Sequence, residues 1–213
     1  VNPLEDEEQN KTMANLKILS FDIECTSGDG NFPQANRKED KIIQIGSTFS
    51  RNGSEECYYK HIITLGSCDK IEGVDVESYE KEEDVLLAWR DLLIREDPDI
   101  ITGYNIFGFD EQYIYDRSKL FRIENEFGVL SRIKDKLSQF KELKLSSSAL
   151  GDNKMKYYDI SGRVQIDLMK VVQRDYKLSS YKLDSVAENF LTSKVVECIN
   201  DNEIKIEKAS DLI

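Results

Sequence analysis

The sequence has a single histidine, His61, among 213 residues. A histidine-rich metal centre is thereby excluded. Lying in a β-like run from Cys57 to Leu65, it reads as a surface or packing residue. The four cysteines, Cys25, Cys57, Cys68 and Cys198, show no paired spacing. That argues against a structural zinc site and leaves reduced thiols in an intracellular protein as the simplest expectation. No apolar run approaches the roughly 20 residues that span a bilayer. The start, Val1-Asn2-Pro3-Leu4-Glu5-Asp6-Glu7-Glu8, lacks the pattern of a signal peptide. Residues 1–15 read as an acidic, flexible lead-in. Positive charge is also short: 29 lysines and arginines face 41 aspartates and glutamates, a formal net charge of −12. Domains that grip duplex DNA are usually basic, because phosphate contacts supply most of the affinity. A stand-alone nucleic-acid binder is therefore disfavoured. An acidic chain still suits a site where cations meet phosphate and other domains supply the basic grip. It also suits a protein that binds no nucleic acid.

What remains is enough for one ordinary domain, with 39% apolar residues to build a core. No internal repeat or low-complexity segment interrupts it. Leu16 to Ile23 reads as a strand buried on both faces or nearly so. Residues 26–40 are polar and read as a loop. Two strands, 41–49 and 56–65, flank Arg51-Asn52-Gly53-Ser54, a hairpin turn. A short strand is expected within 66–78. The clearest helix covers 79–96, where Val85, Leu86, Trp89, Leu92 and Leu93 recur at helical spacing behind an acidic first turn. Pro98 stops it. A strand at 99–102 and a helix at 109–121 follow. Further helix is expected within 127–137, over 165–176, and over 180–191 with Ser180 as cap. A hairpin is expected in 144–160, and a short strand at 204–206. Periodicity alone gives an α/β domain.

The chemistry concentrates in Leu19-Ser20-Phe21-Asp22-Ile23-Glu24-Cys25. Alternate side chains of a strand share a face, so Asp22 and Glu24 stand side by side. Adjacent acids repel unless something positive lies between them, and hard divalent cations take oxygen ligands. Short acidic pairs are common on solvated strands, so the pair gains meaning only from company. Asp110 provides it, at a strand–turn–helix junction running from Asp99 through Thr102-Gly103-Tyr104-Asn105-Ile106-Phe107-Gly108-Phe109.

Phe-Asp-Ile-Glu followed by Asn-x-x-x-Phe-Asp resembles the first and second exonuclease motifs of the B-family DNA polymerases. Gly162-Arg163-Val164-Gln165-Ile166-Asp167 and Asp175 to Leu183 resemble the segments that follow in the delta-type and large-DNA-virus branches. The resemblance spans about residues 16 to 192 and keeps the motif order. It implies a ribonuclease H-like exonuclease fold, a central mixed β-sheet flanked by helices. It implies proofreading 3′–5′ hydrolysis of single-stranded DNA ends with two Mg²⁺ or Mn²⁺ ions. Asp22 would bridge both ions, Glu24 would hold the one that activates water, and Asp110 the other. Asn105 and Phe109 would contact the frayed strand, with Tyr104 a weaker candidate. For Phe109 a core role is an equal alternative, and for Asn105 a turn. Lys182 and Leu183 fall in a segment that guides single-stranded DNA, although many members carry Ser or Thr in place of Lys182. Arg163 and Asp167 could pair structurally, and Asp167 is not assigned to the metals. The family's third motif, Tyr-x-x-x-Asp, has no match, so residues 16–213 are expected to be an incomplete exonuclease domain with that motif beyond Ile213. The implied partners are DNA, the remaining polymerase domains and a sliding clamp. The implied location is the nucleus or a viral replication site. A stand-alone nuclease of the same fold and a non-catalytic scaffold are the competing readings.

Overall fold

The structure is a computed structural model that describes residues 14–54, 56–147 and 151–191. Its centre is a six-stranded sheet in the order β4-β3-β2-β1-β5-β8. The strands are β1, Lys17–Cys25; β2, Ile42–Arg51; β3, Cys57–Leu65; β4, Asp75–Tyr79; β5, Ile100–Gly103; and β8, Val164–Asp167. Only β2 runs against the rest. It is antiparallel to β1 and β3, while β4, β5 and β8 each join a neighbour in parallel. A separate hairpin pairs β6, Gln139–Ser147, with β7, Gly151–Asp159. It begins five residues earlier than the polar stretch at Lys144 suggests.

The first strand alternates rather than being buried on both faces. Leu19, Phe21 and Ile23 are buried, whereas Asp22 and Glu24 are exposed. The buried side packs on α1, Glu82–Glu96, whose Val85, Leu86, Trp89, Leu92 and Leu93 form one apolar stripe. Each such side chain taken from water contributes about 1.5–3 kcal/mol. Trp89 lies 4.8 Å from the Phe21 ring, and its indole N–H donates to Ser47 Oγ at 3.2 Å. Helix α1 ends at Asp97 in the left-handed region, φ 49°, just before Pro98. Helix α2, Asp110–Leu120, adds Tyr113 and Ile114 to the same core. On the other sheet face, Ser20, Asp22 and Glu24 lie opposite Thr48, Gly46 and Gln44, and none of these six is buried.

Four further expectations need correction. Helix does not run through 127–137: the single turn α3 is Glu124–Phe127 and ends there. Residues 165–176 open as strand β8, because Val164 to Asp167 pair with Ile100 to Gly103, and only Leu168–Asp175 is helix α4. The last helix among the described residues, α5, is Leu183–Phe190 with Lys182 as its cap, and Ser180 merely accepts the Lys182 amide at 3.3 Å. Arg163 does not pair with Asp167. It binds Asp97 at 2.7 Å and the carbonyls of Pro98 and Leu130. His61 is buried, its Nε2 3.1 Å from Glu77 Oε1. The strand expected at 204–206 lies outside the described residues.

Candidate metal and nucleic-acid site

Strands β1, β5 and β8 run parallel, so their carboxyl ends converge on one edge of the sheet. Open α/β sheets characteristically place ligands there. Strand β1 extends beyond its last pairing with β5, Ser20 to Thr102, and carries Asp22 and Glu24 past it. The chain leaving β5 comes very close to β1. A Cβ at Gly103 would lie 2.6 Å from the Phe21 carbonyl and 2.5 Å from Ile106, so any larger residue would wedge the strands apart beside Asp22. Opposite Asp22, Gly46 leaves open space, since a Cβ there would meet no atom within 4 Å.

The turn from 104 to 109 then delivers Asp110. Asn105 sits at φ 62°, a left-handed conformation that asparagine tolerates better than most residues. Its carbonyl accepts the amides of Gly108 and Phe109 at 2.9 and 3.0 Å. Asp167 fastens the turn from outside. Its carboxylate accepts the amides of Asn105 at 2.9 Å, Phe107 at 3.1 Å and Met169 at 3.0 Å, the last capping α4. Asp167 thus pairs with backbone amides and not with Arg163.

Asp110 is 2% exposed, and its Oδ1 accepts the Ile23 amide at 3.3 Å. Burial, and then the charge of Asp22, push its carboxyl up to about 7. Asp22 is also raised, chiefly by lost hydration, against the lowering effect of its hydrogen bond from Asp110. Below about pH 7 a protonated Asp110 carboxyl can donate to the Asp22 carboxylate. None of the ion pairs among the described residues involves Asp22, Glu24 or Asp110. Nor, among those residues, do three acids close around one point. Asp22 and Asp110 touch, and Glu24 follows one step along the strand. Hard oxygen donors with no internal cation fit Mg²⁺ or Mn²⁺, which would draw further oxygens from water or phosphate.

The nucleic-acid candidates divide. Phe109 is half-buried, with its ring 5.3 Å from Tyr113 on one side and 5.3 Å, edge-on, from Phe32 on the other. Tyr104 donates to the Tyr181 carbonyl at 2.6 Å, which brings the 104 turn to the start of α5. Lys182 and Leu183 stand exposed there. Sequence reasoning missed two residues. Phe32, 73% exposed, was lost in a polar loop, where an isolated aromatic was the available signal. Glu111, 3% exposed, accepts the Tyr158 amide at 2.6 Å and the Gln165 side chain at 2.9 Å, and burial raises its carboxyl well above the glutamate range.

A mixed sheet of this order, with acids at the carboxyl ends of its parallel strands, defines a ribonuclease H-like domain. The chain belongs to the exonuclease domain family of family B DNA polymerases, whose model matches residues 1–186. It is 52% identical over 158 residues to a DNA polymerase of Pyramimonas orientalis virus, covering 74% of this chain and 13% of that protein. It is 44% identical over 185 residues to the DNA polymerase delta catalytic subunit of Oryza sativa subsp. japonica, covering 87% of this chain and 16% of that one. A DNA polymerase of Acanthamoeba polyphaga mimivirus is 37% identical over an alignment covering 88% of this chain and 15% of that protein. The chain thus spans about one-seventh of the length of these relatives. Among the described residues, no helix is long and apolar enough to cross a membrane.

Proposed function

We propose that this domain removes 3′-terminal nucleotides from single-stranded DNA and proofreads for a polymerase that carries it. The carrying observation is that two acids from separate elements meet, with Asp110 Oδ1 at the start of α2 accepting the Ile23 amide beside Asp22 on β1 at 3.3 Å. Asp22, Glu24 and Asp110 would hold Mg²⁺ or Mn²⁺. Bound in a pair, such ions supply a water ionised near neutral pH and offset charge on the leaving oxygen. The chain's own part is to fix the acids. The Ile23 amide orients Asp110, and Asp167 holds the turn that presents it.

The frayed strand would lie along Phe109 and Phe32, whose rings offer a stacking surface for any base. Asn105 and Tyr104 would meet sugar or phosphate, with Lys182 and Leu183 guiding the strand further on. The remaining polymerase domains would supply the basic grip that a net charge of −12 withholds. A sliding clamp is a further implied partner, and the nucleus or a viral replication site the implied location. Because residues 1–213 contain no Tyr-x-x-x-Asp match to the third motif, this segment alone should cleave slowly. The test is digestion of 3′-labelled single-stranded DNA in Mg²⁺ or Mn²⁺. It compares the segment with a longer polymerase chain carrying it, each beside its Asp22→Ala variant. Digestion by the longer chain that survives Asp22→Ala would sink the assignment.

A further inference from the structure

Arg117 is 1% exposed, and a buried cation needs an account. Its Nε donates to Glu82 Oε1 at 2.6 Å, and its Nη2 to Glu82 Oε2. Glu82 Oε1 also accepts the Ile42 amide at 3.0 Å. A buried ion pair by itself is weak evidence of stabilisation, since apolar residues of similar volume often serve as well. What apolar residues cannot do is the guanidinium's other task. Its Nη1 donates to the carbonyls of Ala35 at 3.0 Å and Arg37 at 2.5 Å. Both lie in the 26–41 loop, shortly after Phe32.

Phe32 has little to hold it in place by itself. It is 73% exposed, and among the described residues its one ring partner is Phe109. Its position follows from how the loop backbone is fixed. Asp40 fixes the loop's first half by accepting the Gly28 and Gln34 amides, each at 2.8 Å. Arg117 fixes the second half, and Arg37 there ties back to Asp29, which accepts the Asn31 amide next to Phe32 at 3.0 Å. Arg117 also lies seven positions after Asp110 on α2, so acid and guanidinium share a helix face about two turns apart. One helix therefore indexes both the acid on β1 and the loop bearing Phe32.

From this geometry we infer that Arg117 is a positioning residue. It holds the 26–41 loop so that Phe32 and Phe109 form a pre-set stacking surface, and it does not touch the DNA. The inference rests on the single-strand reading above. Pre-setting a surface strengthens binding by removing the ordering cost otherwise met on association. Lysine cannot replace the arginine, because one ammonium lacks the planar fork that serves a carboxylate and two carbonyls together.

The test uses the 213-residue chain with Arg117→Lys, and with the paired change Glu82→Gln, Arg117→Met. The paired change keeps an acceptor for Ile42 and leaves no buried charge unpaired, so it guards against simple misfolding. Hydrogen exchange is followed at the Gly28 and Gln34 amides and at β1 and β2. Binding of a 2-aminopurine-ended oligothymidylate is measured in Ca²⁺. Both variants should exchange at Gln34 at least tenfold faster while β1 and β2 stay protected. Each should weaken oligonucleotide binding about fivefold, and less than twofold when Phe32→Ala is already present. Unchanged loop exchange, or full multiplicativity with Phe32→Ala, would overturn the inference. A Phe32→Ala chain that binds as tightly as the unaltered one would strike at the proposed function, and the inference would fall with it. The exchange arm needs no DNA and so separates the two failures.

Discussion

Asp110→Asn should stabilise the metal-free protein at neutral and alkaline pH. The Asp110 carboxyl titrates near 7 instead of near 3.8, so the folded state holds on to its proton where the unfolded chain has released it. The sign follows. A carboxyl raised in the fold binds more protons folded than unfolded, so stability falls as pH climbs from about 4 to about 7 and is flat above. The shift of about three units corresponds to about 4 kcal/mol at 1.36 kcal/mol per unit. The two acids titrate as a pair, so that figure belongs to the Asp22–Asp110 unit as a whole. Asparagine imitates the protonated acid. Its oxygen can accept from Ile23 and its amide can donate to Asp22, with no second negative charge.

For a domain of this size the melting temperature in EDTA at pH 8 should rise by roughly 10 °C. At pH 4, variant and parent should nearly coincide. Mg²⁺ should narrow the gap at pH 8, closing it only near about 1,000 times its Kd, because a cation favours the chain that keeps both carboxylates. Urea and thermal melts between pH 4 and 8, with EDTA or Mg²⁺, decide the matter. If Asp110→Asn is the less stable protein at pH 8 in EDTA, the acids are held by something other than mutual repulsion and burial, and the reasoning fails.

Removing both strand acids, Asp22→Ala with Glu24→Ala, should abolish Mn²⁺ binding in calorimetry without lowering the metal-free melting temperature; unfolding would mean that these acids are structural. Phe109→Ala should cost less than the about 3–5 kcal/mol of a fully buried phenylalanine, because its ring is half-exposed between Phe32 and Tyr113. The preference for single-stranded over blunt DNA ends should fall instead, as competition binding would reveal. Asp167→Ala strands the amides of Asn105, Phe107 and Met169. At about 1–3 kcal/mol for a buried unpaired donor, it should destabilise by about 3 kcal/mol or more in urea melts and weaken Mn²⁺ binding; a variant as stable as the parent would show that water replaces the carboxylate.

The acids of the site were legible because the chemistry demands their residue type. Only a carboxylate could do what is proposed for Asp22 and Asp110, and its position follows from strand alternation and a helix start. Helices α1 and α2 were legible for a related reason, as their apolar spacing is a local property. Strand β8 was not. Ile166, Met169 and Val172 fit a helical period, and nothing within 164–167 reveals that β5 is there to pair with it. The anchors were hidden more deeply. Asp167 acts on amides 60 and 62 residues away, and Arg117 meets carbonyls 80 and 82 residues away. Their partners are backbone groups, which every residue type can supply, so no pattern of side chains marks them. This explains why the reading recovered the groups proposed to do chemistry but misassigned or missed those that hold them. It also says where a damaging substitution would go unnoticed. A change at Arg117 or Asp167 alters none of the motif acids, yet it loosens the loop or the turn on which the site is built.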